Sequence, residues 1–257
     1  LLKQGEILWN KDGTACTVTV KRPAPGVLSI SVNGKVDATS VGDRKTQRLI
    51  GHLPMFLHPG AEETCIIGLG SGMTLAAVLR HDPERADCVE ISEDVAFAAK
   101  KFFGEFNDEC LDDKRAELII GDGRNHIALS ARSYDVIICQ PPNPWLAGIG
   151  SLFTVEFWKQ CKVRLKPGGV MCQWLQTYHT TNESMQIVLR SFQEVFPHVT
   201  LWYSHVGDLI LIGSEEPVST SLDDLETKFQ KPLVLEDMKS IGLGSPALFC
   251  AQFLTDS

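Results

Sequence analysis

The sequence predicts an α/β protein built on a mostly parallel sheet, and three observations carry that expectation. From Glu63 onward, short apolar strands alternate with helix-length amphipathic segments. A glycine-rich loop joins the first of those strands to its helix. The last two strands are separated only by His205–Asp208, too short a link for any parallel crossover.

The first forty or so residues read differently. Glu6–Asn10, Cys16–Val20 and Leu28–Val32 alternate apolar with polar residues between Lys11-Asp12-Gly13 and Pro23-Ala24-Pro25-Gly26 turns, as in a small antiparallel sheet. Arg44–Leu57 reads as a helix that His58-Pro59-Gly60 stops. Buried-type strands follow at Thr64–Leu69, Asp87–Ile91, Ala116–Ile120, Tyr134–Cys139 and Gly168–Leu175. Helices fall between them at Met73–Arg80, Asp94–Phe103, Asn125–Ala131 and Phe153–Arg164. A helix at Asn182–Val195 leads to the closing antiparallel hairpin, Val199–Ser204 and Leu209–Ser214, and then to a short helical tail. This is the order of a methyltransferase-type Rossmann fold preceded by a small N-terminal β-sheet. The division expected is residues 1–42 for that sheet and 43–257 for a nucleoside-binding catalytic domain with its tail.

Composition narrows the function. Hydrophobic residues make up 44% and charged residues 22% of the 257, enough to bury a full core. The net charge of −8, with no basic stripe, argues against nucleic acid and tolerates a cationic substrate. The eight cysteines form no C-x-x-C pair and several lie in apolar runs such as Thr64-Cys65-Ile66-Ile67, so they read as buried thiols of a cytoplasmic protein and not as a metal site. Apolar runs are too short to span a bilayer. A start at Leu1-Leu2, without methionine, suits a piece of a longer protein.

The glycine loop is Gly68-Leu69-Gly70-Ser71-Gly72, where missing side chains allow a tight turn or close ligand approach. By itself a structural turn would explain it. Glu90, however, ends the next strand about twenty residues on, where a carboxylate accepts both ribose hydroxyls; its alternative role is a helix cap, competing with Ser92 and Glu93. Asp122, between Gly121 and Gly123 after the third strand, either accepts from an adenine amino group or merely shapes a turn. Three such elements in register point to an adenosine nucleoside. The third glycine of a pyrophosphate loop would fall at Met73, and no G-K-[ST] follows, so a sulfonium nucleoside is favoured over NAD or ATP.

These stretches, together with Val32-Asn33-Gly34-Lys35-Val36-Asp37-Ala38, Asp43-Arg44-Lys45-Thr46-Gln47, Leu53-Pro54, His58-Pro59, Tyr134–Ile138, Ser151-Leu152-Phe153-Thr154 and Leu165–Val170, resemble the spermidine synthase family over most of residues 28–214. The nearest variant is a spermidine synthase-like domain with an N-P-W motif, here Asn143-Pro144-Trp145, often fused to membrane segments. The resemblance implies transfer of an aminopropyl group from decarboxylated S-adenosylmethionine to putrescine, with no metal and a homodimeric habit. It also implies cofactor contacts at Gly68, Gly70, Ser71, Gly72, Glu90, Asp122, Gly123 and Gln140, with Gln47 near the transferred chain.

The resemblance also exposes departures. The family's loop aspartate, which binds the cationic aminopropyl end, is Ser71 here. Its catalytic aspartate is Gln140, the second acid of that motif is Asn143, and the acid after the fifth strand falls at Leu175. Gln140 orients but cannot act as a base. His179, with Tyr178, could line the acceptor pocket as a general base or simply sit in a surface loop. Gln140-Pro141-Pro142-Asn143-Pro144-Trp145 is also similar to the proline loops of amide- or amine-directed methyltransferases, or is a rigid loop with a core tryptophan. Three functions therefore stand open: an aminopropyltransferase with altered acids acting on a small amine, an S-adenosylmethionine-dependent methyltransferase, and a catalytically silent nucleoside-binding module.

Overall fold

A computed structural model describes residues 5–142, 148–218 and 220–256. The Asn143-Pro144-Trp145 motif lies outside the described residues. The N-terminal sheet has four strands in the order β1 (Glu6–Asp12), β2 (Thr17–Ala24), β3 (Val27–Val32) and β4 (Lys35–Thr39), all antiparallel. The sequence reading stopped at three. Asn33 and Gly34 both take positive φ, 49° and 82°, the two-residue turn that matches strand twist, and they add β4. Val18, Val20, Ile30 and Ala38 turn inward and cover Val95, Ala98 and Phe103 of the main layer.

After α1 (Arg44–Leu57), strands and helices alternate as expected: β5 (Glu63–Ile67), α2 (Met73–Leu79), β6 (Arg85–Glu90), α3 (Glu93–Phe102), a short α4 (Gly104–Asn107), β7 (Ala116–Ile120), α5 (Gly123–Leu129), β8 (Tyr134–Cys139), α6 (Val155–Arg164), β9 (Leu165–Gln176), α7 (Asn182–Val195), β10 (His198–His205) and β11 (Asp208–Ser214). Strands β9, β8, β5, β6 and β7 are parallel neighbours in that order. The chain steps outward from β5 to β7, then returns to the other side of β5 with β8. A crevice opens where it reverses, at the carboxyl ends of β5 and β8.

The closing hairpin docks through its second strand: β11 pairs antiparallel with β9, and β10 lies outside it. The tail is not purely helical. Helices α8 (Leu222–Phe229), α9 (Pro232–Ser240) and α10 (Pro246–Cys250) are followed by β12 (Phe253–Asp256), which pairs with β10 and sets Phe253 against Trp202 at 5.4 Å between ring centres. Cys250 is exposed, unlike the buried Cys65, Cys88, Cys110, Cys139, Cys161 and Cys172. Among the described residues no helix is long and apolar enough to cross a membrane.

Helix α1 is the element that the tail holds in place. From Thr46 to Leu57 every residue is buried, because the sheet covers one side and α8–α10 the other. Phe56 stacks on Phe229 at 4.7 Å and meets Phe249 at 4.8 Å. Such a helix can carry a charge only with partners on hand. Arg48 donates to Asp237 of α9 and to Asp108, each at 3.0 Å, and to the Phe106 carbonyl at 2.7 Å. His52 shares Asp237 at 2.8 Å and meets His81 at 2.8 Å; burial lowers the pKa of both rings, so the neutral pair can share a proton. This network fixes the helix that presents Thr46 and Gln47 to the crevice. Asp237→Ala should therefore cost about 3–5 kcal/mol, the range for stranding a buried charge. Urea unfolding would read the change, and a loss below about 1 kcal/mol would contradict the anchoring role.

Candidate functional site

The glycine loop leaves β5 and enters α2 with Gly68, Gly70 and Gly72 at φ 93°, 56° and 87°. At Gly68 a Cβ would lie 3.1 Å from the Gln140 carbonyl oxygen, so a side chain there would crowd the close approach of the β5 and β8 ends as well as strain the positive φ. The loop is tied to β6 by Glu90. One carboxylate oxygen accepts from the Leu69 amide at 2.9 Å and the other from the Ser92 amide at 3.0 Å. Ser92, not Glu90, caps α3 by accepting from Val95. Burial raises the Glu90 pKa against the lowering effect of the Leu69, Ser92 and Ile91 amides, and the nearby charge of Asp37 raises it further. Asp37, on β4, is a crevice neighbour that the sequence reading did not single out; the Asn33-Gly34 turn that brings β4 back was its signal.

Asp122 caps α5, with one oxygen accepting from the Asn125 amide at 2.8 Å. Its side chain is exposed beside the crevice. Gly123 starts the helix against β5: a Cβ there would come within 2.3 Å of the Ile67 side chain.

Between the glycine loop and α1 lies a layer of neutral polar groups. Ser71 donates to the Gln47 side-chain oxygen at 2.5 Å. Thr74 Oγ1 is within reach of both the Gln47 carbonyl, 2.9 Å, and the Gln140 side-chain oxygen, 2.6 Å. The Gln140 amide nitrogen donates to the Gly68 carbonyl at 2.7 Å. Gln140 thus spends one end of its amide on the glycine loop and the other on α2. Gln47 Nε2 is buried with no partner among the described residues, an orphaned donor at the site where the transferred chain was expected.

Tyr178 and His179 follow Gln176, the last residue of β9. Both lie in the exposed loop after β9, His179 at φ 54°, with their rings edge to face at 5.9 Å. Tyr178 packs over Gly207 in the β10–β11 turn, where a Cβ would meet its ring at 3.1 Å. Leu175 points into the core at 1% exposure, and the strand end presents Gln176 instead, whose amide nitrogen donates to the Pro141 carbonyl at 3.1 Å.

One acid was missed altogether. Asp208, assigned from sequence to the connection between the last strands, is the first residue of β11 and is buried. It accepts from the Trp174 indole at 3.1 Å and from Thr46 at 3.2 Å. Burial raises its pKa against those two bonds. Its signal was an acid opening an apolar strand. Among the described residues no cluster of His, Cys, Asp or Glu could hold a metal ion.

Comparison with known proteins agrees with the fold. Residues 44–210 match the Spermine/spermidine synthase domain. The polyamine aminopropyltransferase of Caldicellulosiruptor saccharolyticus is 31% identical over 177 residues, 68% of this chain and 63% of that protein. The enzyme of the same description from Thermotoga maritima is 32% identical over 179 residues, 69% of this chain and 60% of the relative. The matched stretch thus spans a little under two thirds of either relative. The crystal structure of spermidine synthase from Thermotoga maritima superposes with a TM-score of 0.77 at 24% identity, over 97% of this chain and 84% of that one, which establishes the fold. With the domain match covering more than half of its length, the chain belongs to the spermine/spermidine synthase family.

Proposed function

We propose that the protein binds an S-adenosylmethionine-type sulfonium nucleoside and transfers its aminopropyl group, or a related group, to a small amine. The observation that carries this reading is the buried Glu90 carboxylate, clamped by loop amides yet with acceptor capacity left on both oxygens. A ribose diol supplies the two donors it lacks. The orphaned Gln47 nitrogen and the glycine turns at 68 and 70 fit a ligand lying over the loop. In this reading Glu90 holds the ribose and Asp122 takes the adenine amino group on its second oxygen. Gln47 and Ser71 flank the transferred chain. The acceptor nitrogen attacks the carbon bonded to sulfonium; the carbon–sulfur bond breaks, its electron pair stays on sulfur, and the acceptor loses a proton.

That proton is the difficulty. An amine of pKa ~10 must shed it at a cost of about 4 kcal/mol at neutral pH. Gln140 cannot take it, being an amide already committed to Thr74 and Gly68. A second reading, methyl transfer from S-adenosylmethionine itself, draws on the neutral Ser71–Gln47 pair, which offers no carboxylate to select a cationic aminopropyl tail.

Three outcomes are expected. Glu90→Ala should weaken methylthioadenosine binding by about 1.5–3 kcal/mol in calorimetry, the range for hydrogen bonds to a charged group; unchanged affinity would remove the ribose contact. S-adenosylmethionine and its decarboxylated form should differ in affinity by less than about tenfold, or 1.4 kcal/mol. A much stronger preference for the decarboxylated donor would mean that some other acid reads its ammonium. Methylthioadenosine release with putrescine should run about 10²–10⁴-fold below an enzyme with a placed general base, and brisk turnover would show that a base is present after all.

A further inference from the structure

Three titratable groups stand in line between α1, α2 and the tail. Asp237 of α9 is 2% exposed, and His52 Nε2 lies 2.8 Å from its Oδ2. On the other side of the ring, His52 Nδ1 lies 2.8 Å from His81 Nε2. One pattern of protons satisfies all three groups. A carboxylate with Arg48 at 3.0 Å and Arg80 at 3.5 Å is ionised and only accepts, so His52 Nε2 carries a hydrogen. Its Nδ1 is then the acceptor and His81 Nε2 the donor. His81 Nδ1 keeps the lone pair at the outer end of the chain. His81, 8% exposed, borders a cavity of about 340 Å³ between the end of α1 and α8.

Cations face this chain from each element packed on it. Arg48 of α1 and Arg80 at the end of α2 bear on His52, and Lys228 of α8 and Lys231 before α9 bear on His81. The nearby acids are already engaged. Asp237 serves Arg48, Arg80 and His52, Asp108 serves both arginines, and Asp82 serves Arg115 and Lys231. Around the cavity stand Glu62, Asp224 and His58, whose own ring burial also keeps neutral. We propose that His52, His81 and Asp237 form an acid-sensitive latch, which holds α9 on α1 while both rings are neutral and releases it when they take up protons. Burial first, then at His81 the neighbouring ring and the two lysines, keeps both imidazoles below their usual pKa of ~6.5; Asp237 opposes this at His52 without reversing it. Lifting α8 and α9 gives the rings to water, where they bind protons at ordinary pH. The latch is therefore at full strength above about pH 6.5 and weakens as pH falls below it. Two protons favour opening by up to about 100-fold per pH unit across that window. Acid thus loosens the helix that carries Thr46 and Gln47, whatever ligand the crevice takes.

Native-state hydrogen exchange read by mass spectrometry, corrected for the intrinsic pH dependence of amide exchange, follows the opening of each helix separately. In wild type the opening constant of α9 should rise by more than about tenfold per pH unit as pH falls from about 6.5 to about 5.5. Helix α7, which packs on the opposite face of the sheet, should change by less than about threefold over the same range. His81→Gln keeps a donor for His52 but cannot take up a proton, so its α9 slope should drop below about tenfold per unit. A flat α9 profile in wild type, equal slopes in α9 and α7, or an unaltered slope in His81→Gln overturns the latch. Should that variant fold poorly, the wild-type comparison of α9 with α7 decides by itself.

Discussion

The hydrogen bond from the Leu69 amide to the buried Glu90 carboxylate joins the glycine loop of one strand to the end of the next. The other Glu90 oxygen accepts from Ser92, so the carboxylate also holds the start of α3. Gly68 can turn beside Gln140 because no Cβ intervenes, and Gln140 returns the favour by donating to the Gly68 carbonyl. Thr74 then connects Gln140 to the backbone of Gln47. The loop is thereby held on three sides before any ligand arrives, which limits the ordering cost of binding.

The same bonds give Gln140, at the end of β8, the part of a brace. A bare acid there would accept from Thr74 but could not donate to Gly68. Ser71 and Gln47 likewise satisfy each other at 2.5 Å as a neutral pair. Asp208 of β11 is buried beside α1, with α1 and β9 supplying its neutral donors. The position of α1 depends in turn on Arg48, Asp237 and the aromatic contacts of the tail, so residues far along the chain set the geometry of the crevice.

Much of this was legible in the sequence where one strand or one turn carries the information. Apolar runs of strand length alternating with helices define the parallel sheet, and Glu90 and Asp122 follow from their places at strand ends. What needed the structure depends on pairing across the chain. The Asn33-Gly34 turn is local and was available, yet the strand it opens is short and polar. The resemblance put the family's acid position at Leu175, but strand side chains alternate, and Leu175 lies in the core while its neighbour Gln176 reaches the Pro141 carbonyl. Asp208 sat in what looked like a connection, and its significance rests on Trp174 and Thr46, which no spacing rule places beside it. The pairing of Arg48 with Asp237 spans most of the chain and leaves no periodic trace.

The central claim is the proposal that the half of the crevice built around Glu90 holds a sulfonium nucleoside for group transfer to a small amine, with Ser71 and Gln140 providing no acid. Its most direct test is product analysis by mass spectrometry, with S-adenosylmethionine and its decarboxylated form offered separately alongside an aliphatic diamine. The account predicts an aminopropylated diamine and methylthioadenosine from the decarboxylated donor, formed slowly. A methylated amine from S-adenosylmethionine with no aminopropyl product, or both donors returned intact, would contradict it.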